Sequence, residues 1–361
     1  MKGGLSIAVA LALASALSLT PSAQADYDPV GSGVTRFTLD RDFLNMLKQN
    51  GVKVSARGRA RVVGGVASFP VSGGKFDPTN ATGTVDHEGA LLFSAEGRSL
   101  PLKALQLKTS QRHTPFSARV GGGQLRLAVV ERLSVSRRGF GEKVRSSKLS
   151  LSAKLATRLG KKLHLKGVFE PGQALGSAVT TAEPLTVTLA RTGDVSLYLD
   201  PGFEAKLREL FVAVTPIFPA EHPGPQFTLP IFGGTIAPDA ASGTIETSGA
   251  LELLQLGGGQ VFWLEDWFDL AARTASPEVD SEPSPPYTGK IGRTPVAGLT
   301  LRGPVTSDPT KRTVTVEGAS LALGAATAAT FNEVFAKPQG KEGVFVAGEA
   351  LGTASFTAQG Q

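Results

Sequence analysis

The chain has 361 residues, a formal net charge of +6 and no cysteine. The missing thiol excludes disulfides, thiolate catalysis, Cys-ligated zinc or iron–sulfur, and a lipidated cysteine behind a leader. Gly (43) and Pro (23) are abundant, and short Val/Leu/Phe/Thr runs between glycine-rich turns predict an all-β fold.

The first 25 residues read as a signal peptide. Lys2 gives a basic start, Leu5 to Leu19 is apolar and uncharged, and Ala23-Gln24-Ala25 is a small-x-small cleavage site. About 15 apolar residues are too few to span a bilayer, and no later stretch is apolar enough to cross one. The expectation is a chain that begins at Asp26 after cleavage near Ala25 and is secreted or associated with the cell envelope.

Next comes a short strand, Phe37-Thr38-Leu39, followed by a helix. Asp40 stands as N-cap, Phe43, Leu44 and Leu47 form an apolar face, and Asn50-Gly51 ends it. The pattern returns 160 positions later as Leu197-Tyr198-Leu199-Asp200-Pro201-Gly202-Phe203, with Pro at the first helical position.

The same offset relates Phe69-Pro70-Val71-Ser72-Gly73-Gly74-Lys75-Phe76-Asp77-Pro78 to Leu229-Pro230-Ile231-Phe232-Gly233-Gly234-Thr235-Ile236-Ala237-Pro238. Both continue into a Gly-Thr strand ending at Val85 and Ile245, and they read as strand, Gly-Gly turn, short strand and Pro-initiated loop. Gly121-Gly122-Gly123 and Gly257-Gly258-Gly259 are hairpin turns. Neither is followed by Lys-Ser or Lys-Thr, so neither is a phosphate loop.

Lys148 to Leu159 reads as a strand leading into a second helix. Gly167-Val168-Phe169 and Gly343-Val344-Phe345 are 176 positions apart, so the second copy has grown by 16 residues. The acidic Pro/Ser stretch from Ser276 to Pro286 is the expected irregular insertion.

These repeats predict two tandem β-sandwich-like domains, over about 34–182 and 193–358, each with one or two short helices. Charge divides between them. Residues 26–182 carry 25 Lys and Arg against 11 Asp and Glu, and residues 183–361 carry 11 against 20. Either the two domains dock on each other, or the basic half meets an anionic partner.

Chemistry is sparse. Four histidines occur, with no metal-ligand spacing among them. His87, in Asp86-His87-Glu88-Gly89, reads as a surface turn, and its counterpart is Thr247. His164 belongs to a basic face and His222 to a Pro-rich loop. No Gly-x-Ser-x-Gly elbow is present. In Trp263-Leu264-Glu265-Asp266-Trp267-Phe268-Asp269 a strand is expected, with Phe262, Leu264 and Trp267 inward and the acids outward. Carboxylates beside tryptophan also admit a sugar site. The basic half has no Trp, and no Tyr after Tyr27, so nucleic acid is not an expected partner. No enzyme is expected.

With the repeat laid out, the chain resembles the HtaA domain family of exported, haem-binding actinobacterial proteins. The resemblance lies in the helix-opening Asp-x-x-Phe, in Phe69-Pro70-Val71-x-Gly73-Gly74-x-x-Asp77-Pro78, in the Gly83-Thr84-Val85 strand, and in Gly89-Ala90-Leu91-Leu92-Phe93. It covers nearly all of the chain after the leader, one domain per repeat.

The resemblance implies a non-enzymatic exported binding protein with haem, or another small apolar or anionic ligand. The family's iron-ligating tyrosine, three residues after the Phe of the opening helix, falls here at Met46 and Lys206. The supporting histidine falls near Glu96. Met46, His87 and Tyr198 are the candidate haem-binding residues, and Met can serve as an axial ligand. The alternative is a structural or adhesive envelope protein that binds anionic cell-wall polymer.

Overall fold

The computed structural model describes residues 27–77, 82–109, 115–282 and 289–361. The leader expected over 1–25, His113 and part of the acidic insertion lie outside the described residues.

In chain order the first half runs β1 (Asp28–Leu39), α1 (Arg41–Gln49), β2 (Lys53–Arg57), β3 (Arg61–Val63), β4 (Val66–Asp77), β5 (Thr82–His87), β6 (Ala90–Ala95) and β7 (Arg98–Thr109). It continues through β8 (Pro115–Val120), β9 (Gly123–Arg138), β10 (Gly141–Leu151), α2 (Ala153–Leu163) and β11 (Ala174–Pro184). The second half opens with β12 (Val187–Thr188), β13 (Asp194–Leu199), α3 (Pro201–Glu209), β14 (Val212–Ile217), β15 (Phe227–Ile236), β16 (Gly243–Thr247), β17 (Ala250–Gln255) and β18 (Gln260–Leu264). It ends with β19 (Trp267–Asp269), β20 (Thr274–Ala275), β21 (Glu278–Glu282), β22 (Gly289–Arg293), β23 (Ala297–Thr300), β24 (Val305–Asp308), β25 (Thr313–Leu323), α4 (Ala325–Phe331) and β26 (Ala350–Gln359).

The fold is all-β. In the first half β7, β5, β4, β1, β11, β10, β9 and β8 pair in sequence, and β8 returns to β7. The ring is therefore a closed antiparallel barrel of eight strands. In the second half β15, β13, β26, β25, β23, β20, β19 and β16 pair in sequence, and β16 returns to β15. Closure pairs the strands that would otherwise present unpaired edges. Part of the stretch expected as an irregular insertion is strand: β21 pairs with β18, extending a side sheet of β14, β17, β18, β21 and β22.

The two Gly-Gly motifs occupy the same place in both rings. Val71 pairs with His87 and Ile231 with Thr247, and each pairing shifts register by a bulge before the glycines. A Cβ on Gly74 would lie 2.0 Å from Thr84 O, and one on Gly234 1.9 Å from Thr244 O. Only glycine allows the neighbouring strand this close.

Inward alternation fills each barrel. Ala67, Phe69 and Val71 of β4 face inward, every second residue. The buried side of α2, Leu155, Ala156, Leu159 and Leu163, packs on the first barrel's core. The cavity among Phe37, Phe69, Phe93, Phe116 and Leu155 measures only about 20 Å³, as expected for an eight-stranded ring whose side chains occupy the middle.

The halves touch through a small buried seam. Phe140, in the β9–β10 turn, belongs to the core of the second barrel. Asp28, at the start of β1, accepts bonds from Thr188 N–H (2.8 Å) and Thr188 Oγ1 (2.9 Å) of β12. Its other oxygen lies 3.6 Å from Arg312, and both side chains are buried. Glu142 of β10 is also buried, near Arg137 and Arg312.

Candidate functional site

The opening helices form as their sequences dictate. Asp40 Oδ1 accepts from the N–H groups of Asp42 (2.9 Å) and Phe43 (3.2 Å), and Asp200 Oδ1 does the same for Gly202 (2.8 Å) and Phe203 (3.2 Å). Phe43 and Leu47 are buried, as are Phe203 and Leu207. One residue before that second apolar anchor stands Met46 in α1 and Lys206 in α3.

These two positions differ in chemistry. Met46 is half-buried, packed against the first core, with its thioether as the donor atom. Lys206 Nζ donates to Val344 O (2.8 Å) and pairs with the Glu349 carboxylate. With its N–H groups donated to both acceptors, this amine is committed to the protein and not offered to iron. Of these two positions only Met46 offers an uncommitted donor atom. Glu96, near the position of the supporting histidine, sits in the left-handed turn between β6 and β7 and pairs with Arg98 at 3.2 Å.

His87 does not lie in a surface turn. It is the last residue of β5, two after the inward-facing Val85, and it points into the barrel. Its Nδ1 is 3.0 Å from Leu105 O, which can only accept, so Nδ1 carries the proton. Nε2 then accepts from Thr35 Oγ1 at 2.6 Å, and Thr180 Oγ1 lies 2.6 Å from Thr35 Oγ1. Burial lowers the ring's pKa, opposed by the Leu105 bond and by Asp86, so the ring stays neutral. Both ring nitrogens are engaged by protein partners.

Tyr198 lies in the other barrel. It is part-exposed on β13, and its hydroxyl donates to Gln226 Oε1. His222 stacks on Phe227 with ring centroids 4.2 Å apart. Met46, His87 and Tyr198 are therefore not one constellation: one is on a helix, one inside the first barrel and one on the outer surface of the second.

The tryptophan segment also departs from its expected register. Trp263 and Phe268 are buried, Trp267 is part-exposed, and Asp266 is buried. The chain turns between β18 and β19, with Glu265 left-handed (φ 49°), and this turn inverts the alternation. Arg293 lies 3.9 Å from the centroid of the Trp267 ring and donates to Glu265 O (2.8 Å) and Ser276 O (2.7 Å). Desolvation raises the Asp266 pKa to about 7, against the pull of Arg293. Asp266 is buried while Glu265 is exposed to solvent, so the segment does not present a pair of carboxylates to one open cleft, and the sugar-site alternative has no geometry behind it. Among the described residues no group of three or more His, Asp or Glu is placed to hold a metal ion.

No family model matches the chain, and no curated protein does. It is similar in structure to HtaA domains. With the N-terminal domain of HtaA from Corynebacterium glutamicum it shares 17% identity and a TM-score of 0.37, over 48% of this chain and 99% of that one. With the C-terminal domain of HtaA from the same organism the values are 15% and 0.35, over 44% and 98%. With the haem-binding protein HtaB of that organism they are 12% and 0.30, over 44% and 96%.

Two features were hidden from sequence reading. His87 could have been placed by its spacing from Val85, since residues two apart on a strand share a face. The seam of Asp28, Glu142 and Arg312 joins residues far apart in the chain, and no local pattern marks it.

Proposed function

We propose that the chain is an exported, non-enzymatic binding protein of the HtaA type, with tandem units over about 34–182 and 193–358, and that haem is its ligand. The observation that carries this reading is α1. It keeps the capped Asp-x-x-Phe frame of the resemblance, with a thioether at the position where that resemblance places the iron ligand. The ligand lies outside the barrel, against α1, because the cavity among Phe37, Phe69, Phe93 and Phe116 measures only about 20 Å³, far too small for a porphyrin. Lys206 is committed to Val344 and Glu349, so the second unit contributes no equivalent site.

A hemin titration of the chain from Asp26, followed by visible absorbance, tests this. The expected result is a Soret band saturating at one equivalent, lost in Met46→Ala and kept in Tyr198→Phe and His87→Ala. Loss of the band in Tyr198→Phe would move the site to the second unit. A spectrum identical to free hemin would overturn the haem reading.

A further inference from the structure

The outer face of α2 is the most strongly charged helix surface of the chain. Lys154, Arg158, Lys161 and Lys162 are all exposed on it, the helix has no acidic residue, and its other face seals the barrel. Two adjoining cavities flank it, of about 550 and about 780 Å³, which share Gln124, Ala153 and Lys154. Arg158 reaches back over the β8–β9 turn, with a guanidinium nitrogen 3.1 Å from where a Cβ on Gly121 would stand. Arg126 enters the larger cavity from β9. No aspartate, glutamate or aromatic ring lines either cavity.

The fold does not require these charges. Pairing registers make Leu149–Gly176 equivalent to Leu321–Gly352, and Leu151–Ala128 equivalent to Leu323–Ala297. Carried along those registers, Arg126, Lys154, Arg158 and Lys161 correspond to Pro295, Ala326, Thr330 and Glu333. The second barrel seals the same end with no cation at any of the four positions.

At its start α2 carries charge against its own dipole: Lys154 lies in the first turn, where the helix end is already positive, and Arg158 repeats the charge at i+4, while Lys161 and Lys162 in the last turn extend the same cationic row. Among the described residues none of Arg126, Lys154, Arg158 and Lys161 is in an ion pair. A cationic row that begins against the helix dipole, has no acidic partner, and is missing from the sister barrel is explained by an external anion.

We infer that this groove binds a linear phosphate-bearing polymer. The helix rise places Arg158 about 6 Å and Lys161 about 10 Å beyond Lys154 along one line, a spacing that suits successive phosphates of a chain better than one small anion. Lysine ammonium groups and the first turn of a helix suit phosphate oxygens. The groove has no ring for stacking, which separates this ligand from a single-stranded nucleic acid. The site involves no residue of α1 and is independent of the haem reading.

The test is fluorescence anisotropy of labelled linear polyphosphate with the chain from Asp26, alongside two variants of equal net charge. One is Lys154→Gln/Arg158→Gln/Lys161→Gln. The other is Lys53→Gln/Arg57→Gln/Lys103→Gln, three exposed cations on β2 and β7. The expected result is saturable binding, weakened at least tenfold by the groove variant and less than twofold by the other, with circular dichroism unchanged in both. Orthophosphate at equal total phosphate should not displace the polymer. Equal losses in both variants, no binding by the unaltered chain, displacement by orthophosphate, or equally tight poly-glutamate would each overturn the proposal.

Discussion

The buried His87 network shows how one residue sets a barrel's pH response. Its native pKa lies below the ordinary 6.5, so around that value the unfolded chain binds more protons than the native one. Its contribution to stability is intact above about pH 6.5 and declines as pH falls below it. His87→Ala removes two hydrogen bonds, leaves Leu105 O and the Thr35 hydroxyl short of a partner, and opens a void beside Phe116. Urea unfolding should show a loss of about 2–4 kcal/mol at pH 7.5, narrowing toward pH 5 as the acid penalty on the native histidine disappears.

At the scale of elements, the Gly-Gly motif is a packing device. Gly74→Ala and Gly234→Ala each place a methyl group within 2.0 Å of a carbonyl oxygen across the strand pair. Each should cost on the order of 3 kcal/mol, measured as a lowered unfolding midpoint. Gly123→Ala, where the added carbon meets nothing within 4 Å, should change the midpoint little.

Elements were the most legible level of this sequence. The caps at Asp40 and Asp200, the first helix beginning just after Asp40, the paired Gly-Gly strands and the all-β character are local patterns, fixed by hydrogen-bonding groups within a few residues. Ring closure was not legible, because it depends on β8 meeting β7 and β16 meeting β15, which no short window encodes. The tryptophan segment misled because an amphipathic alternation does not say which phase is buried: β18 buries Val261 and Trp263 rather than Phe262 and Leu264, and beyond the left-handed Glu265 it is Asp266 and Phe268, not Trp267, that turn inward. Of the candidate ligands, the place of Met46 on its helix was readable, while the burial of His87 was missed by ending its strand two residues early, at Val85.

For the whole molecule, the seam between the barrels carries its own titration. Glu142 is raised to about 7, mainly by desolvation and also by Asp28 and Glu183, against the pull of Arg137 and Arg312. The native state therefore holds its proton where the unfolded chain has released it, and stability falls as pH rises from about 4.5 to about 7. At about 1.4 kcal/mol per pKa unit, the penalty above pH 7 is on the order of 3 kcal/mol. Glu142→Gln should raise the midpoint at pH 8 and leave it nearly unchanged at pH 4.5. Arg312→Met should act in the opposite sense, because it removes the buried cation paired with Asp28 and leaves Arg137 alone to offset Asp28 and Glu142. A loss of about 3 kcal/mol, with calorimetry splitting into two transitions as the barrels uncouple, is the expected result.

Two rings of one topology on one chain create a hazard during folding, since an early strand can find the wrong sister. The cores of the two rings make that error costly. Where the first barrel pairs Thr35 with Thr180 beneath His87, the second pairs Val195 with Phe356 beneath Thr247. A nascent β5 that docked against β13 would bring an imidazole to a valine and leave its ring nitrogen dry and unbonded. A β1 zipped onto β26 would press a threonine hydroxyl against phenylalanine. The buried polar triad thus acts as an address label, by which each half of the polypeptide recognises its own strands while both are still being made.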